Sequence, residues 1–122
     1  MSVSPSCPIL VVHDDDAFRR KLIAALDQRH FTVTFAADGA AALQAMQQCA
    51  FRVIVIGIDA ASHNGMESAG YVREHRGVLR ANVIVVGDPH PQLREVARFA
   101  DETLLKPVDP EYVADRARVY CR

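Results

Sequence analysis

The side chains of this sequence best placed to do chemistry are a cluster of acids and one lysine, each standing just after an apolar run. His13, Asp14, Asp15 and Asp16 follow residues 9–12, Gly57 and Asp59 lie at the end of residues 53–58, Gly87 and Asp88 follow residues 83–86, and Lys106-Pro107 follows residues 103–105. Carboxylates that converge on one ammonium group can handle phosphoryl chemistry. The acids hold a hard cation such as Mg2+ while the ammonium neutralises phosphoryl oxygens. His13 among three aspartates also admits a transition-metal ligand or a pH sensor, against the plainer reading of a hydrogen-bonded surface imidazole. Asp15 or Asp16 reads equally as the cap of a following helix, and Asp109-Pro110 as a cap followed by proline at the first helical position.

Such residues act together only if strands and helices bring them to one edge. The apolar runs at 9–12, 53–58, 83–86 and 103–105, with the alternation of Phe31, Val33 and Phe35, predict five strands. Helical spacing joins Phe18, Leu22, Ala25 and Leu26; Leu43 and Met46; Leu93, Val96 and Ala97; and Val113, Ala117, Tyr120 and Cys121. Residues 66–76 read as a weaker helix, interrupted by Gly70. Strand and helix thus alternate, and continuous apolar strands need cover on both faces, which predicts an α/β fold with a doubly wound, five-stranded parallel sheet. In that architecture ligands gather at the carboxyl ends of the strands, where the residues above stand.

Composition narrows the classes further. Among 122 residues, 14 Lys and Arg balance 15 Asp and Glu, and the isoelectric point is near 6.5. This neutrality argues against a nucleic-acid or membrane surface. The longest apolar run is far short of a bilayer span and the N-terminus has no basic-then-apolar leader, so a soluble, cytoplasmic protein is expected. Three scattered cysteines, Cys7, Cys49 and Cys121, fit reduced thiols better than a disulfide framework, with Cys49 and Cys121 packed inside and Cys7 on the solvent side. Residues 1–7 read as a short lead and 8–122 as one domain. Met1 and the short tail after the last helix favour a chain that stands alone.

The segments ILVVHDDDAFRR (9–20), ADGAAAL (37–43), NGME (64–67) and LLKPVDP (104–110) resemble, in order and spacing, the receiver domain of two-component response regulators. The resemblance covers nearly the whole chain. It implies the (βα)5 flavodoxin-like receiver fold, a cis bond at Lys106-Pro107, a role in bacterial signal transduction and phosphorelay, and no enzymatic activity of its own. It also implies a phosphorylatable Asp after the third strand, an acidic pair after the first, Ser or Thr after the fourth and an aromatic in the fifth. Here those places fall on Gly57, on His13 and Asp14, on Gly87 and on Thr103, while Lys106 and Pro107 are kept.

An acyl phosphate needs a carboxylate nucleophile, and glycine supplies none. Gly87 offers no hydroxyl and Thr103 no ring, so both switch positions are lost. What remains is an acidic pocket of His13, Asp14, Asp15 and Lys106, expected to bind Mg2+ weakly at Asp14 if at all and to need no other cofactor. Asp14 and Lys106 read as a structural pair tying the first strand to the fifth, and Asp88 as a cap before Pro89. Asp59 reads as a solvated loop residue, with a substitute phosphoacceptor as its alternative. A stripe of Tyr112, Arg116 and Val119 on the last helix is the candidate protein-binding or self-association surface, in the region of the fourth helix, fifth strand and fifth helix. The chain is thus expected to be an atypical, phosphorylation-independent receiver that acts through protein contacts. One rival is a divergent receiver phosphorylated at Asp59. A remoter one is a Mg2+-dependent phosphohydrolase built on Asp14, Asp16 and Lys106, disfavoured because nothing after the fourth strand would hold phosphate.

Overall fold

β-branched runs become strands where their side chains find cover on both faces. The computed structural model of the chain describes residues 6–59 and 63–121; residues 1–5 of the lead and the side chain of Asn64 in the NGME segment lie outside the described residues. Strands β1 (Cys7–Val12), β2 (Phe31–Ala36), β3 (Val53–Gly57), β4 (Asn82–Gly87) and β5 (Glu102–Leu105) alternate with helices α1 (Asp16–Asp27), α2 (Gly39–Gln48), α3 (His63–Leu79), α4 (Pro91–Ala97) and α5 (Pro110–Val119). Every pairing is parallel and the order is β2-β1-β3-β4-β5. This is the flavodoxin-like doubly wound order, with its switch point between β1 and β3. The sheet begins at Cys7, which pairs with Phe31.

Strand alternation sorts the core into two layers. Ile9, Val11, Val53, Val55, Ile84 and Val86 face α1 and α5 and pack with Leu22, Leu26, Val113 and Ala117. Leu10, Val12, Ile54, Ile56, Val83 and Val85 face α2, α3 and α4 and pack with Met46, Val72, Leu93 and Val96. Asp15, Asp38 and Asp109 cap α1, α2 and α5, accepting from the N–H groups of Phe18, Ala41 and Glu111 at 3.1, 2.7 and 2.9 Å. The cap position of α4 is taken by His90 rather than Asp88, and no side-chain cap bond forms there. The helix predicted at 66–76 is longer, and its non-helical backbone lies at His75 rather than at Gly70, where the interruption was expected. No helix among the described residues is long and apolar enough to cross a membrane.

The cysteine reading needs correction. Cys7 and Cys121 are joined by a disulfide and Cys49 is exposed. The start of β1 and the end of α5 come together at the amino end of the sheet, bringing two Cα atoms 114 positions apart to within 6.0 Å, inside bridging range. Sequence spacing carries no trace of that meeting.

Ile54 in β3 has no exposed surface, so Ile54→Ala should lower the unfolding free energy by about 2–5 kcal/mol. Val78→Ala, at a side chain 83% exposed, should change it by less than about 0.5 kcal/mol. Denaturant titration compares the two; equal losses would contradict this layering.

Candidate functional site at the carboxyl end of the sheet

The chain leaving β1 turns His13 inward, where it is only 2% exposed. Its Nδ1 accepts the N–H of Asp15 at 3.0 Å, so the ring is neutral and carries its proton on Nε2. The imidazole stacks on Phe18 with centroids 4.8 Å apart, and Nε2 has no hydrogen-bond partner among the described residues. Gly57 explains the ring's position. A Cβ on that residue would stand 2.5 Å from Cδ2 of His13 and 2.9 Å from Nε2, closer than real Cβ contacts. The imidazole therefore fills the space into which a side chain at position 57 would project. Burial, seconded by the Lys106 ammonium, pushes the His13 pKa down to about 4, against smaller opposing effects of Asp59, Asp15 and Asp14. The expected surface imidazole is thus a core residue.

The three aspartates go the other way. Asp14, Asp15 and Asp16 are exposed. Asp15 spends its carboxylate on the α1 cap, and its bond from the Phe18 N–H holds its pKa below the usual carboxylate value. Asp16 pairs with Arg19 and, at 3.0 Å, with Arg20. Lys106 is joined to Pro107 by a cis peptide bond, as the resemblance implied. Its Nζ donates to Oδ2 of Asp59 at 3.2 Å and lies 4.8 Å from the Phe18 ring centroid.

Two expectations fall here. Lys106 is joined to Asp59 rather than Asp14, and Asp59 is a half-buried ion-pair partner rather than a solvated loop residue. The physical reason is that only one of positions 13 and 14 can point inward. Burying a neutral ring in an apolar space costs far less than burying a carboxylate.

The residues present do not fit Mg2+, which requires an octahedron of oxygens. His13 presents N–H, Asp15 is committed to its helix, Asp14 is exposed and Gly57 has no donor side chain. No group of three or more His, Cys, Asp or Glu able to hold a metal ion occurs among the described residues. Space at the fourth strand is closed as well. Ile58 extends the ladder by donating its N–H to the Val86 carbonyl at 2.8 Å, and a Cβ on Gly87 would land on the Ile58 carbonyl oxygen. Backbone approach therefore excludes a Ser or Thr side chain at 87. His90 braces the same loop, its Nε2 lying 3.2 Å from the Ile58 carbonyl oxygen. Thr103 is half-buried on β5 opposite Val85.

On the last helix, Tyr112 and Val119 are 51% and 40% exposed. Arg116 does not join them as an open contact. Its Nε and Nη2 donate to both oxygens of Glu102 on β5 at 2.6 and 2.7 Å, and the Tyr120 hydroxyl donates to Oε1 at 2.9 Å. This bidentate pair holds the Glu102 pKa below the usual carboxylate value. Leu105, 55% exposed at the end of β5, adds apolar surface that the strand pattern had assigned to the core. Phe18 and Ile58 were also read only as packing residues. The signal that could have singled them out is the glycine at 57, whose missing side chain has to be replaced by something.

Two outcomes follow from the buried ring. The imidazole C–H resonance of His13 should titrate near pH 4, whereas an unfolded histidine titrates near 6.5. The unfolded state then binds the extra proton between those values, so stability is full above about pH 6.5 and falls as pH drops toward 4, by about 3 kcal/mol from this group. His13→Leu should flatten that part of a denaturation-midpoint profile; an NMR midpoint near 6.5 would refute the burial. Gly57→Asp should destabilise the fold by about 1–3 kcal/mol because the new side chain meets the ring, in place of the gain in Mg2+ affinity that a second carboxylate beside Asp14 would have suggested. His13→Asp in the same chain should recover part of the loss, and a Gly57→Asp protein as stable as the parent would contradict the contact.

Residues 9–118 match the family model described as the response regulator receiver domain. The transcriptional regulatory protein SrrA of Staphylococcus aureus is 25% identical over 114 residues, which cover 93% of this chain and 47% of that protein. The chain thus spans about half the length of the curated relatives it matches. Among solved structures, the signal receiver domain of a response regulator from Bermanella marisrubri superposes with a TM-score of 0.82 at 23% identity, covering 96% of this chain and 99% of that one. The chemotaxis response regulator CheY4 of Vibrio cholerae gives 0.77 at 22% identity, covering 94% and 98%. Five parallel βα units in the order 2-1-3-4-5, matched across residues 9–118, establish that this chain belongs to the response regulator receiver domain family.

Proposed function

We propose that this receiver domain works in two-component signalling without being phosphorylated, as a protein-interaction module rather than an enzyme. One observation carries the reading: the His13 imidazole fills the space beside Gly57 where an acceptor carboxylate would have to project. Phosphoryl transfer to the domain would require a nucleophile, a cation held by converging acids and a hydroxyl to register the product. Gly57, the outward aspartates and Gly87 supply none of them. Lys106 is meanwhile neutralised within the chain by Asp59.

The proposed contact surface is the exposed Tyr112 and Val119 of α5, with the exposed Leu105 at the end of β5, and a signalling protein as its partner. Arg116 supports that surface from below through Glu102 instead of meeting the partner itself. Tyrosine offers a large amphipathic contact at low entropic cost, which suits an anchor. The second reading, phosphorylation at Asp59, draws on the Lys106 ammonium 3.2 Å from its Oδ2.

Incubation with acetyl phosphate and Mg2+ should leave the intact mass unchanged; a gain of one phosphoryl group mapping to Asp59 would establish the second reading instead. Tyr112→Ala should weaken partner binding or self-association by about thirtyfold, equivalent to about 2 kcal/mol, with the melting temperature nearly unchanged. Asp14→Ala should leave binding as it is. Calorimetric titration of the partner, or sedimentation velocity for self-association, measures both variants, and the opposite ranking would move the functional surface to the acidic pocket.

A further inference from the structure

The Cys7–Cys121 disulfide plays no part in the reading above, yet it borders one end of the proposed contact surface. Cys7 opens β1, and Cys121 lies just beyond α5. Both are half-buried. Both line a solvent-open cavity of about 400 Å3 whose wall also includes Val119 and Arg118, and a second of about 750 Å3 walled by Pro8, Phe51 and Leu79. A small thiol can therefore approach the sulfurs from solvent.

The bond is also dispensable to the core. Cys7 and Cys121 pack only at the margin of the layer formed by Ile9, Leu22, Val113 and Ala117. The body of α5 is held by Val113, Ala114 and Ala117, all with no exposed surface, and by the Arg116–Glu102 pair. Among the described residues beyond Val119, the attachments are the Tyr120 hydroxyl bond to Glu102, two short-range backbone bonds to Ala117 and Arg118, the marginal packing of Tyr120 and Cys121 on that layer, and the disulfide. Opening it should release the last turn and leave the domain folded. Accessible disulfides with little structural burden are the exchangeable ones.

We propose that Cys7 and Cys121 form a reversible thiol–disulfide site whose oxidation fixes the last turn of α5 and so governs access to Val119; the regulatory half of this rests on the interaction surface proposed above. The co-reactant is a low-molecular-weight disulfide such as oxidised glutathione. One cysteine thiolate attacks it, forming a mixed disulfide and releasing one glutathione thiolate. The second cysteine thiolate then attacks the cysteine sulfur of that mixed bond, closing Cys7–Cys121 and releasing the second glutathione thiolate. Two electrons pass from the cysteine pair to glutathione, and the two cysteine protons end on the released thiols. Reduction is the reverse.

The test equilibrates the whole chain across a series of glutathione ratios, traps thiols by alkylation, counts them by intact mass and maps amide exchange at residues 117–121. Cys7 and Cys121 should gain or lose reactivity together within the series, while Cys49, exposed and without a cysteine partner, should exchange only singly, as a glutathione adduct distinct in mass. Amide exchange near the end of α5 should be at least about tenfold faster in the reduced chain, with Val113 and Ala114 unchanged. Cys121→Ser in oxidising buffer should reproduce the reduced pattern, and if that variant does not fold, the reduced wild-type chain supplies the same reading. A pair that stays oxidised or stays reduced across the whole series, global unfolding on reduction, or identical exchange in both states would overturn the proposal. Failure of the two readings is separable. A chain without redox response but with weakened binding in Tyr112→Ala keeps the surface and loses the switch, whereas a chain that responds to glutathione but binds normally as Tyr112→Ala keeps the thiol site and loses the surface.

Discussion

A neutral imidazole packed against a glycine is the constraint on which the carboxyl end of this sheet depends. His13 can be buried only while uncharged, and burial, seconded by the Lys106 ammonium, keeps it so while its Nδ1 accepts the Asp15 N–H. Asp15 is also the residue whose carboxylate caps α1. The position of the ring and the start of the helix are therefore two aspects of one turn. Phe18 continues the linkage, with one contact to the imidazole and another to the Lys106 ammonium, which returns to Asp59, two residues after Gly57. Four elements thus meet around the space that position 57 leaves open.

The same closure governs charge and shape beside it. Lys106 and Asp59 neutralise each other at half-buried positions, so the site makes little electrostatic demand on an incoming anion. Ile58, fully buried, carries the β3–β4 ladder one residue further and brings its carbonyl against Gly87. A side chain at 87 would force these strands apart. The residues at positions 13, 57 and 87 are therefore sterically consistent with one another, as expected of a core packed without voids.

Much of this was legible in the sequence because it is local. The strand runs, the two-residue alternation that sorts Val53 and Val55 from Ile54 and Ile56, and the caps at Asp15 and Asp109 depend on near neighbours alone. Gly57 was readable as a position with no side chain at the end of β3. What would occupy its place was not, because the answer comes from β1, and the alternation of a strand no longer dictates which way a side chain points once the strand has ended. Positions 13 and 14 were consequently assigned in the wrong order of burial. The Lys106–Asp59, Arg116–Glu102 and Cys7–Cys121 pairs are set by which elements the topology places side by side, and residue spacing carries no information about them. Arg116 illustrates the limit: helical periodicity put it on the outer stripe with Tyr112 and Val119, whereas a carboxylate on the neighbouring strand drew it down.

The joining of β1 to the end of α5 has a mechanical consequence. A tensile force applied at Ser6 and at Cys121 would run through the sulfur–sulfur bond and bypass the hydrogen-bonded ladders, because residues 7–121 form a closed covalent ring. With the bond open, the same force would reach the sheet through β1, which lies between β2 and β3 and is paired along both edges. Sliding a parallel strand out of that position loads many ladder bonds in shear at once. The disulfide thus keeps a pull between those two points off the ladders, and without it the load falls on α5 at one end and on both edges of β1 at the other.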